Sequence, residues 1–127
     1  MLYWVNQNKG RLEGHFLFGT GTTGGLVEKK CGLKVTRLKS GPLGGDQQLG
    51  AMIANDELDL LIFFWDPMVA QPHDVDIKAL LRMSVLYNIP SACNRSTADF
   101  IIPSKFFDGE YNPVKKDYSG YINPKTA

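Results

Sequence analysis

Apolar residues along this chain alternate between short continuous runs and positions spaced three or four residues apart. Four continuous runs predict buried strands, in residues 15–21, 33–38, 58–67 and 89–94. Helical spacing predicts helices in residues 1–14, around Leu26 and Val27, after Asp46, and in residues 74–88. This order predicts a Rossmann-like three-layer α/β domain, with helices on both faces of a mostly parallel sheet.

The loops that follow the predicted strands are the expected place for chemistry. Right-handed crossovers bring these loops to one edge of a parallel sheet, and ligands of open α/β sheets bind at that edge. The loops in question are residues 19–25, 40–48, 65–76 and 93–99.

Composition and charge exclude several classes of protein. The 127 residues predict a single domain, and 14 Lys and Arg balance 13 Asp and Glu without a basic stripe, so nucleic acid is not an expected partner. Cys31 and Cys93 lie far apart, which argues against a disulfide framework and favours a reduced, cytoplasmic setting. His15 and His73 have no cysteine nearby, so a zinc site is not expected.

Membrane insertion is not expected either. The apolar run from Leu58 to Trp65 contains Asp59 and is far too short to cross a bilayer, and the N-terminus has no signal-peptide pattern. The polar tail, residues 108–127, is expected to lie over the surface or against a neighbouring subunit.

The loop of residues 19–25 is a candidate phosphate site. Thr20, Thr22 and Thr23 alternate with glycines before a predicted helix, and hydroxyl groups together with free N–H groups at a helix N-terminus bind anions. The loop has neither the Walker order of residues nor the spacing of a dinucleotide fingerprint. The alternative interpretation is a glycine-rich turn with a threonine N-cap.

Asp46 follows two glycines at the start of a predicted helix. One interpretation makes it an N-cap that accepts hydrogen bonds from the first N–H groups of the helix. The other makes it a functional carboxylate on the ligand edge of the sheet.

The loop before the next helix holds His73 together with Asp74 and Asp76. A histidine can polarise a carbonyl oxygen, and neighbouring carboxylates can fix its tautomer. The alternatives are a structural histidine, an Asp74 helix cap, and an Asp66 that only ends a strand. With Asp46, Asp66, His73 and Asp76 on one rim, the sequence predicts proton transfer beside a carbonyl of a small phosphorylated substrate.

This set of motifs resembles the methylglyoxal synthase family, from the first helix to about residue 104. The resemblance rests on GTGTTG, SGPLGGDQQ, FFWDP, PHDVDIKALLR and CNRSTADF. It implies a lyase that converts dihydroxyacetone phosphate to methylglyoxal and inorganic phosphate without a cofactor or metal. The same fold occurs in regulatory and cyclohydrolase domains of carbamoyl phosphate synthetase and of a bifunctional purine-biosynthesis enzyme.

The resemblance also implies a role for each candidate residue. Asp46 would be the base that removes a proton from C3 of the substrate, His73 would contact the carbonyl, and Asp76 would support proton transfer. Thr20, Thr22, Thr23, Ser40 and the Gly41 backbone would hold the phosphate and the enediolate. Asp66 would help to hold the site together.

Two departures from the family pattern accompany the resemblance. Family members carry a first strand with a His-Asp pair and a Lys, and this sequence starts after that segment. Family members also have a cationic residue near the C-terminus, and in this sequence Lys125 falls near that place.

The resemblance further implies a homohexamer that is inhibited by phosphate. The alternative is an inactive phosphate- or metabolite-binding regulatory domain of the same fold.

Overall fold

Seven helices and four short strands follow one another in residues 1–122, which are the residues that the computed structural model describes. The helices α1 to α7 are Leu2–Gln7, Lys9–Leu12, Gly21–Cys31, Gly45–Ala54, Asp74–Leu86, Arg95–Ile101 and Ser119–Ile122. The strands β1 to β4 are Leu17–Gly19, Val35–Arg37, Leu61–Ile62 and Ser91–Ala92, and a 3₁₀ turn occupies Gly41–Leu43. Lys125 lies outside the described residues.

The strands pair in parallel, as predicted, but they form two small sheets and not one. β1 pairs with β2, with Leu17 opposite Val35, and β3 pairs with β4, with Leu61 opposite Ser91. Within residues 1–122 the strands of the predicted parallel sheet are thus found as two parallel pairs. The strands are also shorter than the predicted apolar runs.

Helices cover both faces of these sheets, which confirms the three-layer α/β architecture. One cluster of buried residues joins α1, α2, α3 and α6 to β2 and β4, and it includes Trp4, Val27, Val35, Ala92 and Ala98. A second cluster lies between α4, α5 and β3, and it includes Leu49, Ile53, Leu61 and Leu80. Each strand pair is thus held between two helical layers, as expected for apolar runs that are buried on both sides.

The beginning and the end of the described chain both pack on this core. The predicted opening helix is divided into α1 and α2 at Asn8, and the Trp4 indole of α1 donates a hydrogen bond to Asp99 at 2.9 Å. The tail crosses the end of α5, where the Tyr118 hydroxyl donates to the Leu86 carbonyl at 2.8 Å. None of the helices in residues 1–122 has the length and apolar character needed to span a bilayer.

Candidate functional site

The start of α3 forms a cluster of hydroxyl groups at the end of β1. Thr20 occupies the N-cap position, as the structural interpretation predicted, but its side chain makes no capping hydrogen bond. The N–H groups of Thr22 and Thr23 belong to the first helical turn and have no intrahelical acceptor. All three threonines line a cavity of about 780 Å³. This loop can therefore present hydroxyl and N–H donors to an anion.

The loop after β2 is held tightly against this threonine cluster. The backbone of Gly44 has a φ of +108°, which lets the chain turn from the 3₁₀ turn into α4. A Cβ atom on Gly45 would lie 1.9 Å from the Lys39 carbonyl oxygen and 3.0 Å from Thr20 Cγ2. Only glycine fits at position 45, and its absence of a side chain lets α4 begin directly beside Thr20.

Asp46 is the second residue of α4 and does not cap it. The N-cap position belongs to Gly44, and no side chain forms a capping hydrogen bond there, so the N-cap interpretation of Asp46 is wrong. Asp46 is 6% exposed, and its Oδ2 is buried without a hydrogen-bond partner among residues 1–122. A buried carboxylate oxygen without a partner is costly, and such an atom is common where a protein meets a ligand.

His73 lies beside Asp46. Its Nε2 is 3.7 Å from Asp46 Oδ2, a contact between charges when the imidazole is protonated but too long for a hydrogen bond. The other ring nitrogen, Nδ1, is buried without a partner among the described residues. Gly41 lies against both side chains, since a Cβ atom there would lie 2.7 Å from His73 Nε2 and 2.9 Å from Asp46 Oδ2.

The surroundings of Asp46 raise its pKa above 3.8. Burial is the main cause, because it disfavours the charged carboxylate, and the negative charge of Asp76 acts in the same direction. His73 has the opposite effect and lowers the pKa of this carboxyl group. A carboxylate with a raised pKa is a stronger base than an exposed one, which suits proton abstraction.

The remaining predicted residues differ in how they relate to the Asp46–His73 pair. Ser40 and Gly41 line the same cavity as Asp46 and His73. Asp76 is half-buried in the first turn of α5 and acts on Asp46 through its charge. Asp66 is exposed and accepts a hydrogen bond from the Met68 N–H at 3.0 Å, and it does not line the cavity.

Asp74 does not cap the helix, contrary to the structural alternative. It is the first residue of α5, where the N-cap position belongs to His73 and no side chain forms a capping bond. Its carboxylate lies 3.5 Å from Lys78 Nζ, one turn further along the helix. Asp74, which follows His73 in the sequence, thus pairs with Lys78 at the surface, while His73 faces Asp46.

Gln48 holds the start of α4 in place, and although it ends the SGPLGGDQQ motif, the sequence analysis assigned it no function. Its side-chain oxygen accepts a hydrogen bond from the Lys39 N–H at 2.8 Å, which ties α4 to the end of β2. A glutamine in a helix is unremarkable by residue type, and only its partner shows this function. Within residues 1–122, no three His, Cys, Asp or Glu side chains are grouped for metal binding.

Comparison with known proteins gives a consistent result. The MGS-like domain family matches residues 4–93. The methylglyoxal synthase of Oleidesulfovibrio alaskensis is 61% identical over 123 residues, which cover 96% of this chain and 84% of the relative. That of Coxiella burnetii is 51% identical over 97% of this chain and 86% of the relative.

A solved structure agrees with these sequences. The crystal structure of methylglyoxal synthase from Elizabethkingia anophelis NUHP1 superimposes with a TM-score of 0.93 at 52% identity. The match covers 99% of this chain and 83% of that chain.

Proposed function

The chain belongs to the MGS-like domain family, and from this membership and the geometry of the site we propose that it is a methylglyoxal synthase. The reaction is the conversion of dihydroxyacetone phosphate to methylglyoxal and inorganic phosphate, which makes the protein a lyase. One observation supports the proposal most strongly. The buried Asp46 carboxylate has an oxygen without a partner among residues 1–122, and it lies beside His73 in a cavity that three threonines also line.

The proposed first step is removal of a proton from C3, the hydroxymethyl carbon of the substrate. Asp46 Oδ2 accepts this proton, and the electron pair of the C–H bond moves through C2 onto the carbonyl oxygen to give an enediolate. His73 faces Asp46 and donates to the oxygen on which negative charge develops. The raised pKa of Asp46 brings its basicity closer to what this step needs.

The proposed second step is elimination of phosphate from C1. The C3 hydroxyl loses its proton to water and the O–H electrons form the aldehyde, while the electrons of the C2=C3 double bond move to C1=C2 and the C1–O bond breaks with both of its electrons on phosphate. The remaining enolate takes up a proton at C1 and becomes methylglyoxal. Elimination requires that the C1–O bond is held out of the plane of the enediolate. The site must therefore bind the phosphate in one orientation.

In this proposal, residues of two loops bind the phosphate. Thr20, Thr22 and Thr23 supply hydroxyl and N–H donors at the start of α3, an eleven-residue helix whose N-terminus favours negative charge. Ser40 and Gly41 lie on the neighbouring loop, after β2, and line the same cavity. Asp66, which is exposed, has a supporting function in this proposal through the turn that it forms with Met68.

Three further properties belong to the proposal. The protein is a homohexamer, as the family resemblance implies, and inorganic phosphate inhibits it by occupying the threonine cluster. It works in the cytoplasm, which fits the free thiols of Cys31 and Cys93.

The test is to incubate the protein with dihydroxyacetone phosphate and to quantify methylglyoxal and phosphate separately. A methylglyoxal synthase releases the two products in equal amounts, and the rate falls by about two to four orders of magnitude in the Asp46→Asn variant, because a positioned base contributes that much. Thermal stabilisation by phosphate without any turnover would instead identify an inactive phosphate-binding domain.

A further inference from the structure

Arg37, the last residue of β2, extends its side chain across the start of α3. A Cβ atom on Gly25 would lie 3.3 Å from Arg37 Cζ, 3.4 Å from Nη2 and 3.5 Å from Nε. Because three atoms of the planar group lie at nearly the same distance from that point, the guanidinium has its flat face against Gly25. The Arg37 Cγ atom packs on Gly24 in a similar way, 3.2 Å from the corresponding Cβ position.

This position is close to the helical turn proposed above to bind phosphate. Gly25 follows Thr22 by three residues, which is less than one turn and about 4.5 Å along the helix axis. The Cα–Cβ bonds of a helix tilt toward its N-terminus, so a group that covers the Cβ position of Gly25 lies on the side of Thr22. The guanidinium is thus on the order of 10 Å from an anion at the helix start, which is comparable with the Debye length at 0.1 M salt.

The charges at the start of α3 reverse the usual arrangement. The N-terminus of a helix carries partial positive charge, so acidic side chains are favoured there and cations are favoured at the C-terminus. Lys29 and Lys30 follow this rule in the last turn of α3, but the first turn has no acidic residue. Arg37 adds a full positive charge beside the positive end of the helix.

No carboxylate within residues 1–122 forms an ion pair with Arg37. Arg11 and Arg95, in contrast, each lie within 4 Å of an aspartate. The single acid of α3, Glu28, accepts a hydrogen bond from the Val35 N–H at 3.1 Å and is held by the backbone of β2. The charge of Arg37 therefore adds to that of the helix end, and both can act on a bound anion.

We infer that the charge of Arg37 strengthens the binding of dianionic phosphate groups at the start of α3. The inference rests on the proposed phosphate site and adds to it a residue that acts at a distance, without contact to the reacting carbons. Two positive fields that add at one place raise the local concentration of a dianion. Inorganic phosphate and the phosphate group of the proposed substrate share this chemistry, so both should respond to Arg37.

Two substitutions separate the charge of Arg37 from its packing against Gly25. Arg37→Lys keeps the positive charge but loses the flat group, whereas Arg37→Gln keeps a flat polar group but loses the charge. Lys34→Gln is the matched control, because it removes one positive charge just before the other end of β2. The Kd for inorganic phosphate is measured by calorimetry for the four proteins, at about 0.02 M and about 0.5 M salt.

We expect Arg37→Gln to raise the Kd for phosphate about threefold or more at low salt, because a unit charge on the order of 10 Å from a dianion has an effect of this size in water. At high salt the difference should nearly vanish, since the Debye length is then shorter than the separation. Arg37→Lys and Lys34→Gln should stay within about twofold of the parent protein. With dihydroxyacetone phosphate, Arg37→Gln should raise KM by a similar factor and leave kcat unchanged, as expected for binding that is equal in the ground and transition states.

Equal Kd values for the parent and Arg37→Gln at low salt would overturn the inference. Weaker binding by Arg37→Lys than by Arg37→Gln would overturn it too, since packing and not charge would then be responsible. A parent protein that binds no phosphate at low salt would have the same consequence. Failure of the proposed lyase activity has a different signature, in which phosphate binding depends on Arg37 but dihydroxyacetone phosphate gives no methylglyoxal.

Discussion

At the scale of single residues, the contact between Asp46 and His73 depends on the absence of a side chain at position 41, which is a glycine. Their facing atoms, Oδ2 and Nε2, are 3.7 Å apart, and Gly41 lies against both of them. Neither Asp46 Oδ2 nor His73 Nδ1 has a hydrogen-bond partner within residues 1–122. The pair is thus arranged to meet a third group, and small changes at Gly41 should affect it.

Gly41→Ala tests this dependence. The added methyl group would lie within 3 Å of both His73 Nε2 and Asp46 Oδ2, so one of the two side chains must move. We expect kcat/KM to fall at least tenfold, since a displacement of about 1 Å is costly in a catalytic site. Gly10→Ala is the control, because it has open space around it and should leave the activity unchanged. An unaltered rate for Gly41→Ala would contradict the proposed geometry.

The raised pKa of Asp46 predicts a dependence of stability on pH. The native carboxyl group holds its proton to a higher pH than the unfolded one, so its contribution to stability is full below pH 3.8 and is lost as pH rises through the native pKa. Asp46→Asn cannot ionise and should therefore become more stable relative to the parent as pH rises from 3 to 7. Thermal melts at several pH values measure this difference, and a constant difference would contradict burial as the main cause.

At the scale of elements, the site is built from the beginnings of α3, α4 and α5. Right-handed connections put these three helix starts at one edge. For this reason the positions of the loops in the sequence are enough to predict that Thr20, Asp46 and His73 line one cavity. The helix caps were not predictable in the same way. Whether Asp46 caps α4 depends on the left-handed backbone of Gly44, which residue spacing does not show.

The start of α3 yields a prediction about phosphate. Replacing Thr22 and Thr23 by valine keeps the shape of the side chains but removes two hydroxyl donors to a charged ligand, each worth about 1.5–3 kcal/mol. The apparent Kd for phosphate, measured by thermal shift, should rise at least tenfold. Thr36→Val, on the exposed side of β2, is the matched control and should leave the Kd unchanged. Equal Kd values for all three proteins would place phosphate elsewhere.

At the scale of the whole molecule, α1 connects the two sheets. Trp4 is 3% exposed, contacts the Phe64 ring edge-on at a centroid distance of 5.5 Å, and shares a buried cluster with Val27 and Val35. The layers and the parallel pairing followed from the sequence, because buried strands and amphipathic helices alternate along it. The division into two sheets did not, since apolar runs indicate that strands exist and not which strands become neighbours.

Trp4→Ala should therefore weaken the whole fold. Removing a buried tryptophan leaves a cavity, and this costs about 3–5 kcal/mol in the free energy of unfolding. Phe100→Ala removes a side chain that is 86% exposed and should change the stability by less than about 0.5 kcal/mol. Urea denaturation measures both. A cost for Trp4→Ala as small as that for Phe100→Ala would show that α1 does not hold the sheets together.

The most direct test of the proposed function is the fate of the hydrogen on C3 of dihydroxyacetone phosphate. The substrate deuterated at C3 is given to the parent protein and to Asp46→Asn, and methylglyoxal formation is followed by NMR. If Asp46 is the base, the parent reacts more slowly with the deuterated substrate than with the ordinary one, and Asp46→Asn forms almost no product from either. Equal turnover by parent and variant would show that another group removes the proton.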